Sequence, residues 1–197
     1  MVNGRTRGHS CMHVENFDWI PVLNDAIDKY SDNAIRQIER IRTIQIPHRQ
    51  SFAFNINSVV TKDIATIALK NAGIPGSTEK HSLYVIAANS DFQSTAAKLA
   101  YEVFKGTKMR ACARINASTS SILYVGISLT PLKRILDHLG FGAKKTYALN
   151  LVHWFPFKEL PLTVHVINTA LEPNDAQALE DAVSMSLNPI FGRKGGK

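Results

Sequence analysis

The run from Ile122 to His138, ILYVGISLTPLKRILDH, constrains the fold more than any other part of the chain. Its first residues are apolar as in a buried strand, and Gly126 would let the backbone leave that strand without a Cβ in the way. Pro131 suits the first turn of a helix, with Thr130 before it as the cap. The run therefore predicts a core strand that leads almost directly into a basic helix.

Three chemically versatile side chains lie in this run. Tyr124 is two residues before Gly126, so both lie on the same face of the predicted strand. Arg134 and His138 are four residues apart and share one face of the predicted helix. A guanidinium suits phosphate oxygens, and an imidazole can move a proton near neutral pH. If the helix packs across the strand end, the three side chains can converge.

A carboxylate on the last predicted helix completes this candidate site. Glu180 lies at the margin of the apolar face of that helix, and a partly buried carboxylate needs an arginine or a divalent cation as its partner. Metal-assisted phosphodiester hydrolysis needs such an oxygen ligand, a cation on the phosphate and a proton acceptor near water. Taken singly, each of the four residues also fits a structural reading, as core filler, surface charge, helix-dipole partner or salt-bridge residue.

The composition narrows the function classes. The formal net charge of +7 is spread along the chain, which suits a polyanionic partner or simply a basic solvated surface. The basic residues that we consider for DNA contact are Arg36, Arg40, Lys133, Lys144 and Lys145. No apolar run approaches the roughly 18 residues that cross a bilayer. Two cysteines form no disulfide framework and favour a reducing compartment, so a cytoplasmic protein without a membrane partner is expected.

Apolar spacing divides the chain at a polar break over residues 105–108. Residues 1–108 are predicted as a mainly helical N-terminal region, with a helix over 19–42 interrupted near 31–33 and one strand over 82–88. Beyond the break, strands at 109–116 and 121–127 are predicted to pair as a hairpin. The remaining predicted elements are a helix at 131–139, a strand at 162–167 and a helix at 174–187. Leu83-Tyr84-Val85 echoes Leu123-Tyr124-Val125, although the residues that follow differ.

Together, these residues resemble the GIY-YIG endonuclease domain over about residues 109–193. Tyr124-Val125-Gly126 resembles the second signature of that family, and Asn188, beside Pro189, resembles the polar residue that ends its motif. Three further positions match the arginine, the histidine and the metal-binding glutamate of the family, namely Arg134, His138 and Glu180.

The resemblance implies an α/β domain of the α+β kind over residues 109–197, with a small, mainly antiparallel central sheet flanked by helices. It implies metal-dependent hydrolysis of DNA with one Mg²⁺, for which Mn²⁺ can substitute, of a restriction or defence type. Glu180 would bind the metal, Arg134 would hold the scissile phosphate, and Tyr124 and His138 would position or deprotonate water. The N-terminal region would hold DNA or set sequence preference, and a homodimer would suit cutting of both strands.

One part of the family pattern is absent from its expected place. Counting back from Tyr124 by the usual spacing reaches Ala113 or Arg114, and neither is the tyrosine of the first signature. Three alternatives follow. His138 or Tyr124 takes over the activation of water, or Tyr147 reaches into the site. The third is a catalytically weakened module that still binds nucleic acid.

Overall fold

The computed structural model describes residues 19–42, 49–89 and 92–193. The chain divides into two compact units, Met1–Arg42 and Thr43–Lys197. In the first unit the described residues form helix α1 (Trp19–Arg42), which is continuous through the predicted break near residues 31–33. Ser, Asp and Asn each lower helix propensity by less than about 1 kcal/mol, which is too little to interrupt a long amphipathic helix. None of the described helices combines the length and the apolarity needed to span a membrane.

The second unit is built on a four-stranded antiparallel sheet with the order β1-β4-β2-β3. Its strands are β1 (Arg49–Phe54), β2 (His81–Ala88), β3 (Ile122–Ser128) and β4 (Leu162–Leu171). Helices flank this sheet, so the predicted α+β fold class is confirmed. β2 and β4 are the central strands. Alternate residues of β4 are apolar and buried, so one face of this strand lies in the core.

Among the described residues of this unit, the α-helices are α2 (Lys62–Asn71), α3 (Ser94–Gly106), α4 (Pro131–Leu136), α5 (Leu151–Trp154) and α6 (Pro173–Leu187). Helix α4 continues into a wider π-helical turn over Asp137–Phe141, which ends where Gly140 adopts a φ of 116°. Single π-helical turns are frequent at functional sites. Here the turn carries His138.

Successive side chains of each strand point to opposite faces of the sheet, so the sheet carries an apolar layer on each face. Tyr84 and Ile86 of β2 belong to the main core, together with Ile135 and other residues of α4. The intervening residues of β2 form a smaller cluster on the other face, consisting of Leu83, Val85 and Val125, against which α6 packs through Val183 and Leu187. Helices α4 and α6 therefore cover opposite faces of the sheet, and β3 is the edge strand beside which both pack.

Two expectations about organisation differ from the structure. The boundary expected near residue 108 lies inside the second unit, because β1 and β2 come from the region predicted as mainly helical and pair with β4 and β3. The predicted hairpin between 109–116 and 121–127 is wrong, because β3 pairs with β2. Residues 109–116 form only single bridges, Cys112 with Ala148 and Ile115 with Phe191. A local apolar pattern identifies a strand but does not select its partner.

Candidate active site

The two tyrosines of the candidate site lie on adjacent strands. The register of β2 and β3 pairs Tyr84 with Gly126 and Ile86 with Tyr124, so both phenol rings project from the same face. Their centroids are 6.0 Å apart, with the ring planes inclined by 16°. Tyr84 is fully buried, whereas Tyr124 keeps part of its surface exposed.

Gly126 has a different role from the one predicted. It does not release the backbone from the strand, since β3 continues to Ser128. A Cβ at this position would instead overlap the hydroxyl group of Tyr84. The glycine therefore leaves room for the Tyr84 side chain that crosses from the neighbouring strand. Gly192 is close to the other phenol, where a Cβ would lie 2.9 Å from Cε2 of Tyr124.

His138 contacts both phenols from the π-helical turn. Its Nε2 atom lies 3.2 Å from the hydroxyl oxygen of Tyr84, and its ring centroid is 4.1 Å from that of Tyr124. The backbone N–H of Leu149 donates to Nδ1 at 3.3 Å. Because Nδ1 accepts, we assign the ring proton to Nε2, which donates to Tyr84. Burial, followed by the charge of Arg134, holds the pKa of His138 well below its usual value, so the ring is neutral.

Arg134 lies beside this cluster at the end of α4. Its Nη1 donates to Oδ2 of Asp137 at 3.2 Å, and its Nη2 contacts the backbone carbonyl of Tyr147 at 3.5 Å. Lys133 also contacts Oδ2 of the buried Asp137, at 3.2 Å. Burial lowers the pKa of Arg134, but the nearby phenols of Tyr84 and Tyr124 outweigh it and raise that pKa above its ordinary value. The guanidinium therefore stays charged.

The phenols respond to the same charges. Burial is the largest cause that raises the pKa of Tyr84 and of Tyr124, and the negative charge of Glu180 raises both further. Arg134 lowers both pKa values. The tyrosines, the arginine and the glutamate therefore interact electrostatically as one group.

Glu180 approaches this group from the other layer of the fold. Burial, followed by the neighbouring charge of Asp181, raises the pKa of Glu180 to about 7, while the hydrogen bond from Gln177, Arg193 and Arg134 lower it. The amide of Gln177 donates to Glu180 at 3.2 Å. α6 packs on the edge strand β3, and we attribute the interaction of Glu180 with Arg134 to this position. The carboxylate is thus incompletely neutralised by the groups around it.

The other residues predicted for the site lie outside this group. The side chain of Tyr147 is 74% exposed, and only its backbone carbonyl contacts Arg134. Asn188 is exposed and left-handed at the end of α6, where its carbonyl accepts from the hydroxyl of Ser118. Lys144 and Lys145 are exposed in the loop before Tyr147. Arg36 and Arg40 belong to α1 in the first unit.

Tyr84 is the site residue that the sequence reasoning missed. The family pattern places this tyrosine a short distance before Tyr124, but α3 and the segment after it are inserted between β2 and β3. The sequence feature that points to Tyr84 is the Leu-Tyr-Val of residues 83–85, which repeats at residues 123–125. The two copies lie on strands that pair with each other. Ala113, where the tyrosine was sought, is instead a buried residue outside the sheet.

The fold and the candidate site together define the class of protein to which this chain can be assigned. It is an α+β domain in which two phenols, a neutral imidazole and a guanidinium meet on one face of the sheet, while the carboxylate of Glu180, on the helix that covers the other face, interacts with them electrostatically. Comparisons of the chain with protein-family models, with curated proteins and with solved structures each found no match.

Proposed function

We propose that the chain is a metal-dependent DNA endonuclease of the GIY-YIG kind. The observation that carries the proposal is the contact of Tyr84 with His138 beside Arg134. Tyr84 supplies the phenol that the resemblance requires and that the sequence lacked at the expected spacing. It lies on a strand antiparallel to the one that carries Tyr124.

Arg134 is the phosphate-binding residue in this proposal. It is half-buried and oriented by Asp137, so its forked donors are held in one direction before substrate binds. A charge fixed in a site of low dielectric stabilises the negative charge that builds up on a phosphate as its ester bond breaks.

Tyr84 is the proton acceptor, acting from its phenolate form. The oxygen of a water molecule bonds to phosphorus, the bond from phosphorus to the leaving deoxyribose oxygen breaks, and one proton of the water passes to the Tyr84 oxygen. Because burial raises the pKa of Tyr84, the phenolate needs nearby donors and positive charge. The Nε2–H of His138 and the guanidinium of Arg134 are the donors beside it, and Arg134 lowers the pKa of Tyr84, but burial outweighs this and the pKa stays well above its usual value.

Glu180 is the residue that would hold the metal ion. Mg²⁺ is usually bound through one or two carboxylates together with water and substrate phosphates, so a single carboxylate fits. Its raised pKa of about 7 indicates a carboxylate whose charge lacks full compensation. Among the described residues, no group of three or more His, Cys, Asp or Glu is placed to hold a metal ion. When bound, the ion would stabilise the leaving oxygen.

A second candidate is a nucleic-acid-binding module with weakened catalysis. The observation that favours it is the burial of both phenols, which holds them in the protonated form. EDTA separates the two candidates. Cleavage by a metal-dependent nuclease vanishes in EDTA, whereas salt-sensitive binding by either candidate largely survives.

The test is cleavage of plasmid DNA with Mg²⁺ or Mn²⁺ by the wild type and by Glu180→Ala. We expect cleavage by the wild type and loss of it in the variant. Glu79→Ala removes an exposed carboxylate elsewhere and serves as the charge-matched control. Equal cutting by wild type and Glu180→Ala would refute the metal-binding role.

A further inference from the structure

A basic groove lies next to Arg134, outside the group to which we assign the chemistry. Its volume is about 490 Å³. Five of the residues that line it are cationic and one is aromatic, namely Lys105, Lys108, Arg110, Lys144, Lys145 and Tyr147. No Asp or Glu is among the described residues that line the groove. Its charge therefore favours a polyanion.

The groove is continuous with the candidate active site through Tyr147. The backbone carbonyl of Tyr147 accepts from Nη2 of Arg134 at 3.5 Å, and the same residue lines the groove and is 74% exposed. A polymer that places one phosphate at Arg134 would therefore meet the Tyr147 ring next and the lysines beyond it.

The walls of the groove are fixed to each other by hydrogen bonds. Arg110 donates through Nε to Oδ1 of Asn150 at 2.7 Å and through Nη2 to the carbonyl of Gly142. The N–H of Ala111 donates to the carbonyl of Lys144 at 2.7 Å. The lysines on the two walls are thus presented by a rigid frame, although each side chain is itself exposed.

Lys108 adopts a strained backbone conformation at the end of α3. Its φ is 53°, in the left-handed region, and its N–H closes the last turn onto the carbonyl of Lys105 at 3.1 Å. Glycine or asparagine usually occupies this position after a helix, because a larger side chain is unfavourable there. Strain of this kind concentrates at functional positions. A lysine at this point is consistent with a role for its charge in the groove.

We propose that the basic groove binds the sugar–phosphate backbone of the DNA strand next to the phosphate at Arg134, and that Tyr147 stacks on an unpaired base of that strand. The inference rests on the proposed function in taking Arg134 as the residue that holds the scissile phosphate. Exposed aromatic rings in basic grooves bind single strands in this way, since every base offers a face for stacking. The substrate class is therefore DNA with a single-stranded segment beside the cleavage site.

The test measures binding in EDTA, so that it does not depend on cleavage. Fluorescently labelled oligonucleotides, either single-stranded or fully duplex, are titrated at several salt concentrations and followed by anisotropy. We expect Lys105→Gln/Lys145→Gln to weaken binding and to make the slope of log K against log salt less negative by about 1.4 for the single strand. The control Lys62→Gln/Lys70→Gln removes the same charge from α2 and should leave the slope unchanged.

Two further pairs of variants, at Lys108 and at Tyr147, separate a role in binding from a role in folding. Lys108→Gly relieves the left-handed strain, so its melting temperature should rise while its affinity for the single strand falls. Lys108→Arg should keep the affinity.

Tyr147→Ala should weaken single-strand binding about 5-fold or more and duplex binding less, and Tyr147→Phe should retain both.

The outcomes distinguish this inference from the nuclease proposal. Three results would each refute DNA binding in the groove. They are no binding by the wild type, an unchanged salt slope in Lys105→Gln/Lys145→Gln, and full single-strand affinity in Tyr147→Ala. If the wild type binds as expected but cuts no DNA with Mg²⁺, the nuclease proposal is refuted and the proposal of DNA binding in the groove is supported.

Discussion

The Nε2 atom of His138 lies 3.2 Å from the hydroxyl oxygen of Tyr84, although the two residues are 54 positions apart in the chain. The backbone N–H of Leu149 donates a hydrogen bond to the other ring nitrogen of His138, Nδ1. This fixes the imidazole as a neutral donor to the phenol. In the proposed mechanism His138 is therefore a positioning residue for Tyr84, and the phenolate form of Tyr84 takes the proton.

Removing the Tyr84 hydroxyl should abolish most of the catalysis while preserving the fold. For Tyr84→Phe we expect a fall in the rate constant of plasmid cleavage of about 100-fold or more, the usual contribution of a general base. Tyr101→Phe is the control, because Tyr101 is also fully buried and its hydroxyl donates to the carbonyls of Ala113 and Ala148. Circular dichroism establishes that both variants fold. Full activity in Tyr84→Phe would exclude Tyr84 as the proton acceptor.

Arg134→Lys should not preserve activity. A lysine keeps the charge but cannot present two fixed donors to phosphate oxygens, so we expect a loss of roughly 100-fold in the rate at saturating DNA. Lys133→Gln is the matched control, since Lys133 contacts the same Asp137 oxygen at the same 3.2 Å distance. Its loss should be much smaller. A variant Arg134→Lys that cuts as fast as the wild type would show that simple charge suffices.

Gly126→Ala should destabilise the protein through overpacking. The added Cβ would overlap the Tyr84 hydroxyl and lie 2.8 Å from a ring carbon of Tyr124, so the strands must shift. We expect a loss of about 1–3 kcal/mol in the free energy of unfolding, measured in urea. Gly76→Ala is the control, since no atom of the described residues lies within 4 Å of its added Cβ. Equal stability of the two variants would contradict the close approach of Tyr84.

The stability contributed by Glu180 should depend on pH in a defined direction. Its folded pKa is raised from 4.5 to about 7, so the folded state binds the proton more tightly than the unfolded state. Glu180 therefore destabilises the fold progressively as the pH rises from about 4.5 to about 7, and no further above that range. Glu180→Gln should be more stable relative to the wild type at pH 8 than at pH 4.

Thermal unfolding at these two pH values checks that prediction, and Mg²⁺ gives an independent readout. A cation that binds Glu180 should raise the melting temperature of the wild type at pH 8 and leave that of Glu180→Gln unchanged. If the difference in stability between the two proteins is the same at both pH values, the carboxylate is not desolvated as the structure indicates.

The sequence by itself determined the local elements and their chemistry. Pro131 and the apolar spacing after it predict α4, the run before Gly126 predicts β3, and the spacing around Glu180 predicts α6, because period and capping are encoded within a few residues. The α+β class followed from these elements and the resemblance. The spacing also predicted that Arg134 and His138 share a helix face, and in the structure both lie beside Tyr124.

Only the tertiary structure decided which distant segments meet. β1 was not predicted, and β3 pairs with β2 rather than with the segment just before it, because strand pairing depends on burial across the whole sheet. That pairing placed Tyr84 beside Tyr124 and gave Gly126 its role as space for a phenol. The proton on His138 and the raised pKa of Glu180 likewise depend on burial and on neighbours far away in the chain, which no local pattern encodes.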